Sequence, residues 1–321
     1  MDVFIADQIP EQALQILRDN NLSFEMYQGE KLIDKATLID KVASVKYLIT
    51  PLSTQVDQDV IDAAPNLQLI ANFGAGTNNI DLDYAAQKGI PVTNTPFVSA
   101  VSTAEVTIGL MLALSHRMVE GDSLMRGAGF NGWAPLFFLG HQLEGKTLGI
   151  IGLGQIGQEV AKRMHAFDMR IVYSQRTQAP AELEEQLGAT FVTKDELLKQ
   201  ADIVTLHIPA TPATNHYLSE REFKLMKNSA ILINAARGQV IDEKLLPEML
   251  NQGEIAGAAL DVYEAEPAVS DELKAMKNVI LTPHVGNATV EARDAMAEIV
   301  AQNVCAVAKQ DQAKYIVNGV K

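Results

Sequence analysis

Between Lys146 and Gly157 the chain reads KTLGIIGLGQIG, an apolar run that stops at three glycines, Gly152, Gly154 and Gly157, spaced as GxGxxG. Leu148, Ile150 and Ile151 have the character of a buried parallel strand, and Glu159 to Phe167 that of the helix it feeds, so the glycines fall in a strand-to-helix turn. Backbone geometry gives each a role. Gly152 permits the tight turn, Gly154 lets a pyrophosphate approach the backbone, and Gly157 lets helix and strand pack closely. The turn's amides, at Gln155, Ile156 and Gly157, lie at the positive end of the helix dipole. Glycine-rich turns are common, and the string alone also fits a plain turn. Its place between strand and helix makes it a candidate dinucleotide site.

The same alternation fills the rest of the chain. Before the turn come VFIAD, a helix over Glu11 to Asp19, SFEMY, a helix over Ala36 to Val42, YLIT, a helix over Val56 to Ala64, LQLIANFG, a helix over Tyr84 to Lys88, and PVTNT. A long apolar helix from Val98 to about His116 follows, then the unusually apolar loop GAGFNGWAPLFFLG. After the turn come IVYSQ, a helix near Ala181 to Leu187, TFVT, ADIVTLHIP, AILINAA, IAGAALDVY and NVILTPHVG. A last helix, Val290 to about Lys309, sets Met296, Ile299, Val300, Val304 and Val307 on one face. Such a pattern predicts an α/β fold of two doubly wound parallel sheets, with ligands at the carboxyl ends of the strands.

Composition bounds the partners. The chain's 321 residues suit two domains. With 40 acidic against 26 basic residues the formal charge is −14, which repels nucleic acid and anionic membrane, so neither is expected as a partner. Any anionic ligand must be held by local donors. Cys305 is the only cysteine, which excludes an intrachain disulfide and suits a reducing cytoplasm. No secretory signal is readable, the apolar stretch Val106 to Leu114 is too short to span a bilayer, and no metal is expected.

Five strand ends carry candidate chemistry: NFGAGTNNI after the fourth strand, Arg237 after AILINAA, Asp261 at the end of IAGAALD, Glu266 just beyond, and His284 after NVILTP. An imidazole titrates near neutrality, and a carboxylate beside it favours its protonated form, so His284 with Glu266 can give or take a proton. Taken singly, His284 could as well cap a strand end and Glu266 be a solvated loop carboxylate. Arg237 can clamp a carboxylate through two parallel bonds, or bridge structurally to Asp242 or Glu243. Gly74, Ala75 and Gly76 form either an amide nest for a small anion or an ordinary turn.

Four motifs in order, NFGAGTNNID, GLGQIG, HIPATPATNHYLS followed by INAARGQVID, and LDVYEAEP followed by TPHVG, resemble the D-isomer-specific 2-hydroxyacid dehydrogenase family along essentially the whole chain. The resemblance implies a Rossmann-type cofactor domain, residues 98–286, inserted in a flavodoxin-like substrate domain, residues 1–97 plus 287–321. It implies a catalytic set of Arg237, Glu266 and His284, with Ala75 and Gly76 sharing the substrate with Arg237 and His284. Cofactor contacts are implied at the glycine turn and at Thr107, His207, Ile208, Pro209, Thr214, Ala235, Ala236, Arg237, Asp261, His284 and Gly286, with Asp261 placed to bond the nicotinamide carboxamide. It also implies a homodimer whose interface includes the long apolar helix and the loop carrying Trp133 and Phe137.

The activity implied is reduction of a small 2-oxo acid to the D-2-hydroxy acid, with hydride from a nicotinamide and a proton from His284. Glyoxylate, hydroxypyruvate, pyruvate and branched 2-oxo acids are the substrates weighed. In NAD-specific enzymes an acidic side chain about 20 residues beyond the turn binds the ribose hydroxyls. Here the strand closes as Ser174, Gln175, Arg176, Thr177. Hydroxyls and a guanidinium replace the carboxylate, which favours NADP(H) over NAD(H). Glu266 argues against a formate dehydrogenase, where glutamine takes that place. A phosphoglycerate dehydrogenase without its regulatory domain and a nicotinamide-sensing protein of the corepressor kind remain as alternatives.

Overall fold

The described residues, 1–320 of a computed structural model, carry twelve strands in two sheets whose ladders are all parallel. One unit comprises Met1–Ser99 and the residues from Ala288 onward; the other is Ala100–Asn287. The first contains β1 (Val3–Ile5), β2 (Phe24–Met26), β3 (Tyr47–Pro51), β4 (Leu69–Phe73) and β5 (Val92–Thr93), in the spatial order β2-β1-β3-β4-β5. That is the flavodoxin-like order. The second contains β6 (Thr147–Ile151), β7 (Arg170–Ser174), β8 (Ala189–Phe191), β9 (Ile203–Leu206), β10 (Ile231–Asn234), β11 (Gly257–Leu260) and β12 (Val279–Leu281), ordered β12-β11-β10-β9-β6-β7-β8. This is the Rossmann order extended by one strand, and its order reverses between β6 and β9.

Parallel strands linked by helices must be apolar on both faces, because helices cover both. In the first unit Val3, Ile5, Leu69, Ala71 and Phe73 pack under helices Glu11–Asp19 and Val290–Ala308, while Phe4, Leu48 and Ile70 face Leu38, Val42, Val60 and Ile61 on the other side. In the second, Leu148, Ile150, Ile171 and Tyr173 meet Ile108, Met111, Val160 and Met164. Val204, Leu206, Leu232 and Leu260 meet Leu197, Phe223 and Leu246. The two-residue alternation of each strand thus builds two cores per sheet. On the last helix Met296, Val300 and Val304 are buried, and Ile299 and Val307 are half-buried.

Two elements differ from the sequence expectation. The helix after the glycine turn spans Gln155–His165 and so begins four residues before Glu159, directly after Gly154. The apolar helix spans Ala100–Ser115, and a second helix, Met118–Arg126, follows a break at Arg117, whose φ is +55°. That arginine lies over the Phe138 ring, 4.1 Å from its centroid, and bonds Glu120. Among the described residues no helix is long and apolar enough to cross a membrane.

Candidate active site

The glycine turn has the geometry that its spacing requires. Gly152 adopts φ +96°, and a Cβ there would lie 2.6 Å from the His207 carbonyl oxygen. A Cβ on Gly157 would lie 2.2 Å from the Gly152 oxygen, so helix and turn touch through backbone alone. A Cβ on Gly154 meets nothing within 4 Å. The Gln158 amide donates to the Gly154 carbonyl at 2.9 Å, which leaves the amides of Gln155, Ile156 and Gly157 ahead of the helical ladder. Clear space beside open amides is what a pyrophosphate needs, and the residues present fit a dinucleotide.

At the end of β7 the structure gives Gln175 a definite role. Its Oε1 accepts the Leu153 amide at 2.9 Å and its Nε2 donates to the Thr177 carbonyl at 2.7 Å, tying the glycine turn to the β7 end. Ser174 is buried, while Arg176 and Thr177 are exposed.

Arg237, Glu266 and His284 all lie in the second unit, past the ends of β10, β11 and β12. His284 Nδ1 is 2.9 Å from Glu266 Oε2, and Glu266 Oε1 accepts the Tyr263 amide at 2.9 Å. Burial raises the Glu266 carboxyl pKa, but the bonds from His284 and Tyr263 and the charges of His284 and Arg237 outweigh it, so the group stays below the ordinary glutamate value. Arg237 is half-buried, and burial lowers its pKa while Glu266 partly offsets this. Its Nη1 donates to the Ala236 carbonyl at 2.7 Å. It forms no ion pair with Asp242 or Glu243 among the described contacts; Asp242 lies 3.6 Å from His216, and Glu243 accepts the Glu264 amide at 2.8 Å. The carboxylates that sequence offered as structural partners are engaged elsewhere, and the guanidinium pairs with neither.

Asp261, expected to bond the nicotinamide carboxamide, is engaged by groups of its own unit. It is wholly buried, Oδ1 accepting from Thr282 Oγ1 (2.6 Å) and the Val285 amide (2.8 Å), Oδ2 from the Gly286 amide (2.8 Å). Its carboxylate holds the turn that carries His284, a residue with φ +55°. Histidine tolerates that region better than most residues, yet the turn still needs support. The Gly286 carbonyl accepts from Ser102 and Thr103.

The remaining expected contacts are mixed. Thr107 is buried, and its hydroxyl donates to the Thr103 carbonyl at 2.8 Å. Ala235 and Ala236 are buried, Ile208 is half-buried and Pro209 exposed. Thr214 Oγ1 donates to the Pro209 carbonyl at 2.6 Å and closes its own loop. His207 lies 3.0 Å from Thr205 Oγ1 through Nε2, while Nδ1 is buried without a partner. Burial pushes its pKa down to about 3, so the ring is neutral.

The Gly74–Gly76 turn of the first unit is held from within. Asn72, fully buried, donates to the Gly74 and Gly76 carbonyls at 3.2 and 2.6 Å, Thr95 N–H also reaches Gly74, and Asn94 Nδ2 donates to the Ala75 carbonyl at 2.7 Å. With the carbonyls so held, the Ala75 and Gly76 amides donate to no described protein atom. Asn79 supports Asn72 at 3.2 Å. Sequence reasoning did not find these asparagine roles; the one signal was a run of amides around a glycine-rich strand end.

Sheet order and glycine turn define an α/β protein of the dinucleotide-binding class. The family model for the NAD-binding domain of D-isomer specific 2-hydroxyacid dehydrogenases matches residues 108–286. A protein of Staphylococcus aureus (strain bovine RF122 / ET3-1) bearing the name 2-hydroxyacid dehydrogenase is 50% identical over 316 residues, 98% of this chain and 99% of its own. Among solved structures, a protein from Thermus thermophilus matches with TM-score 0.93 at 39% identity, covering 99% of this chain and 100% of that one. An NADPH-dependent glyoxylate/hydroxypyruvate reductase from Sinorhizobium meliloti, solved with NADP and malonate, matches with TM-score 0.85 at 31% identity, over 99% and 97% of the two chains. The chain belongs to the D-isomer specific 2-hydroxyacid dehydrogenase family, oxidoreductases that act on a CH–OH group.

Proposed function

We propose that the protein reduces a small 2-oxo acid to the D-2-hydroxy acid with NADP(H) in preference to NAD(H), and that Arg237, Glu266 and His284 are its catalytic set. The observation that carries this reading is the 2.9 Å contact of His284 Nδ1 with Glu266, in the unit that holds a half-buried Arg237 on which the same carboxylate acts. A nicotinamide cofactor, when bound, supplies the reducing equivalent. His284 gives a proton from Nε2 to the carbonyl oxygen, while Glu266 holds Nδ1–H and stabilises the imidazolium. Arg237 takes the carboxylate through its planar fork. The Ala75 and Gly76 amides are donors for the same class of group. Asp261 acts indirectly, through the turn of His284. Fixed orientation is worth roughly 7–11 kcal/mol and general acid catalysis about 10² to 10⁴ in rate, so both parts matter.

The NADP preference is supported by Gln175, which offers an amide where a carboxylate would repel a 2′-phosphate, and by exposed Arg176 beside it. The S. meliloti relative, named for glyoxylate and hydroxypyruvate, supports a small substrate. A homodimer is supported by exposed apolar side chains at Trp133, Leu136 and Leu139; light scattering on the purified chain tests it. We place the protein in the cytoplasm on the strength of its single, buried cysteine. A panel of 2-oxo acids, followed by loss of NADPH or NADH absorbance, decides the main reading. No turnover with any of them would sink it, and a large preference for NADH would refute the cofactor part alone.

A further inference from the structure

Glu243 is a buried carboxyl that the chemistry proposed above leaves unused. It lies beyond Arg237, past the short helical turn Gly238–Val240 that follows β10. Its Oε2 accepts the Glu264 amide at 2.8 Å, and among the described residues no cation pairs with it. Burial pushes its pKa above the ordinary glutamate value, and the charges of Glu264 and Glu266 push the same way, against the bond from the Glu264 amide. A buried acid without a cation costs stability, and what this one does is hold a single peptide.

Glu264 is gripped from other sides as well. Its carbonyl accepts from Gln239 Nε2 at 3.2 Å, and its Oε1 lies 2.5 Å from His216 Nε2. The His216 amide donates in turn to the Gln239 carbonyl at 2.8 Å. Gly238 touches the same place: a Cβ there would lie 1.9 Å from the Tyr263 carbonyl carbon and 2.2 Å from the Glu264 nitrogen. The segment directly after Arg237 and the Tyr263–Glu264 peptide therefore meet backbone to backbone. Close by in the chain stands Glu266, whose Oε1 accepts the Tyr263 amide and whose Oε2 meets His284 Nδ1, both at 2.9 Å. We propose that Glu243 is a positioning residue: by holding the Glu264 amide it fixes the Tyr263–Glu266 turn, and with it the contact of the Glu266 carboxylate with His284. Its effect on turnover rests on the catalytic set proposed above; its grip on the turn does not. A carboxylate that must meet an imidazole tolerates little drift, since a misplacement of about 1 Å can cost about 10² in rate.

The test uses the full-length protein. E243A removes the acceptor, whereas E243Q keeps one in its amide oxygen. E243A lowers kcat for the oxo acid at least about tenfold while KM for NADPH stays as in wild type, and E243Q brings kcat back to within about twofold. Added to E266A, E243A costs no further kcat, because the carboxylate through which it acts is already gone. Q239A, which removes an exposed side chain, gives a smaller loss of the same kind and carries the test should E243A not fold. Amide hydrogen exchange, followed by NMR without substrate, reads the turn itself. In E243A the Glu264 and Tyr263 amides both exchange at least about tenfold faster, although only Glu264 has lost its own acceptor. Faster exchange at Tyr263 in a protein that reduces no 2-oxo acid would keep the grip and discard the reductase reading. Wild-type kcat in E243A, or in Q239A where that variant carries the test, would overturn the proposal, as would a further loss on top of E266A or unchanged exchange at Tyr263.

Discussion

The Asp261 carboxylate and the Val285 amide are joined by a 2.8 Å bond that fixes the turn on which His284 stands. Asp261 also holds the Gly286 amide and the Thr282 hydroxyl, so three donors converge on one buried side chain, and none of them is the imidazole. In D261N an NH₂ replaces one oxygen and faces a donor, so at least one of these bonds is lost. The expected result is a kcat lowered about tenfold or more, with stability reduced by about 1–3 kcal/mol as a buried donor loses its acceptor. Steady-state kinetics and urea unfolding measure the two effects. An unchanged kcat would show that the His284 turn holds without Asp261.

Gly154 and Gly157 make opposite predictions from one motif. G154A places its methyl group in open space, so the variant folds with wild-type stability, yet it fills the room a pyrophosphate would use. NADPH affinity should fall about tenfold with no shift in melting temperature. G157A drives a methyl group to 2.2 Å from a backbone oxygen that cannot move aside, so it loses stability as well as cofactor affinity. Thermal melts with and without NADPH separate the two; equal melting losses would contradict the geometry.

Much of this was legible because the carriers are local. The GxGxxG spacing fixes backbone relations over six residues, and the strand runs of both sheets carry apolar side chains for both faces, so fold class and glycine turn follow from pattern alone. His284 and Glu266 were legible as strand-end residues of complementary chemistry. What stayed hidden depends on partners distant in sequence. Asp261 reads like any polar residue at a strand end until the amides of Val285 and Gly286 are seen to point at it. Gln175 reads as a missing acid; its bond to Leu153 becomes visible only when β6 and β7 lie side by side. The early helix start at Gln155 was masked because glycine-rich sequence has poor helix propensity, which the turn's geometry overrides.

Gln175 offers the sharpest cofactor test. Q175D returns a carboxylate to the β7 end, where it accepts from ribose hydroxyls and repels a 2′-phosphate. The ratio of kcat/KM for NADPH over NADH should fall at least about tenfold. R176A should lower the same ratio by acting on NADPH alone, since its side chain is exposed and supports no packing. A ratio unmoved in both variants would place the discrimination elsewhere.

Glu266 links the pair to pH. Its carboxyl pKa is below the ordinary 4.5 in the folded chain, although burial pushes the other way, because His284, the Tyr263 amide and Arg237 favour the anion. A group whose pKa is lower folded than unfolded stabilises the fold above its unfolded value, and that contribution is lost as pH falls through the folded value. The stability difference between wild type and E266Q should therefore be level above about pH 5 and close as the pH drops below the ordinary glutamate range. Turnover should respond as well. In E266Q the Nδ1 hydrogen bond is kept but the carboxylate's charge is gone, so the charge that builds on the ring as it works on the carbonyl oxygen loses its partner. In E266Q, kcat for the oxo acid should drop by about 10² or more while KM for NADPH stays as in wild type. Steady-state kinetics at saturating NADPH test this, and a wild-type kcat in E266Q would mean that Glu266 does not act through His284.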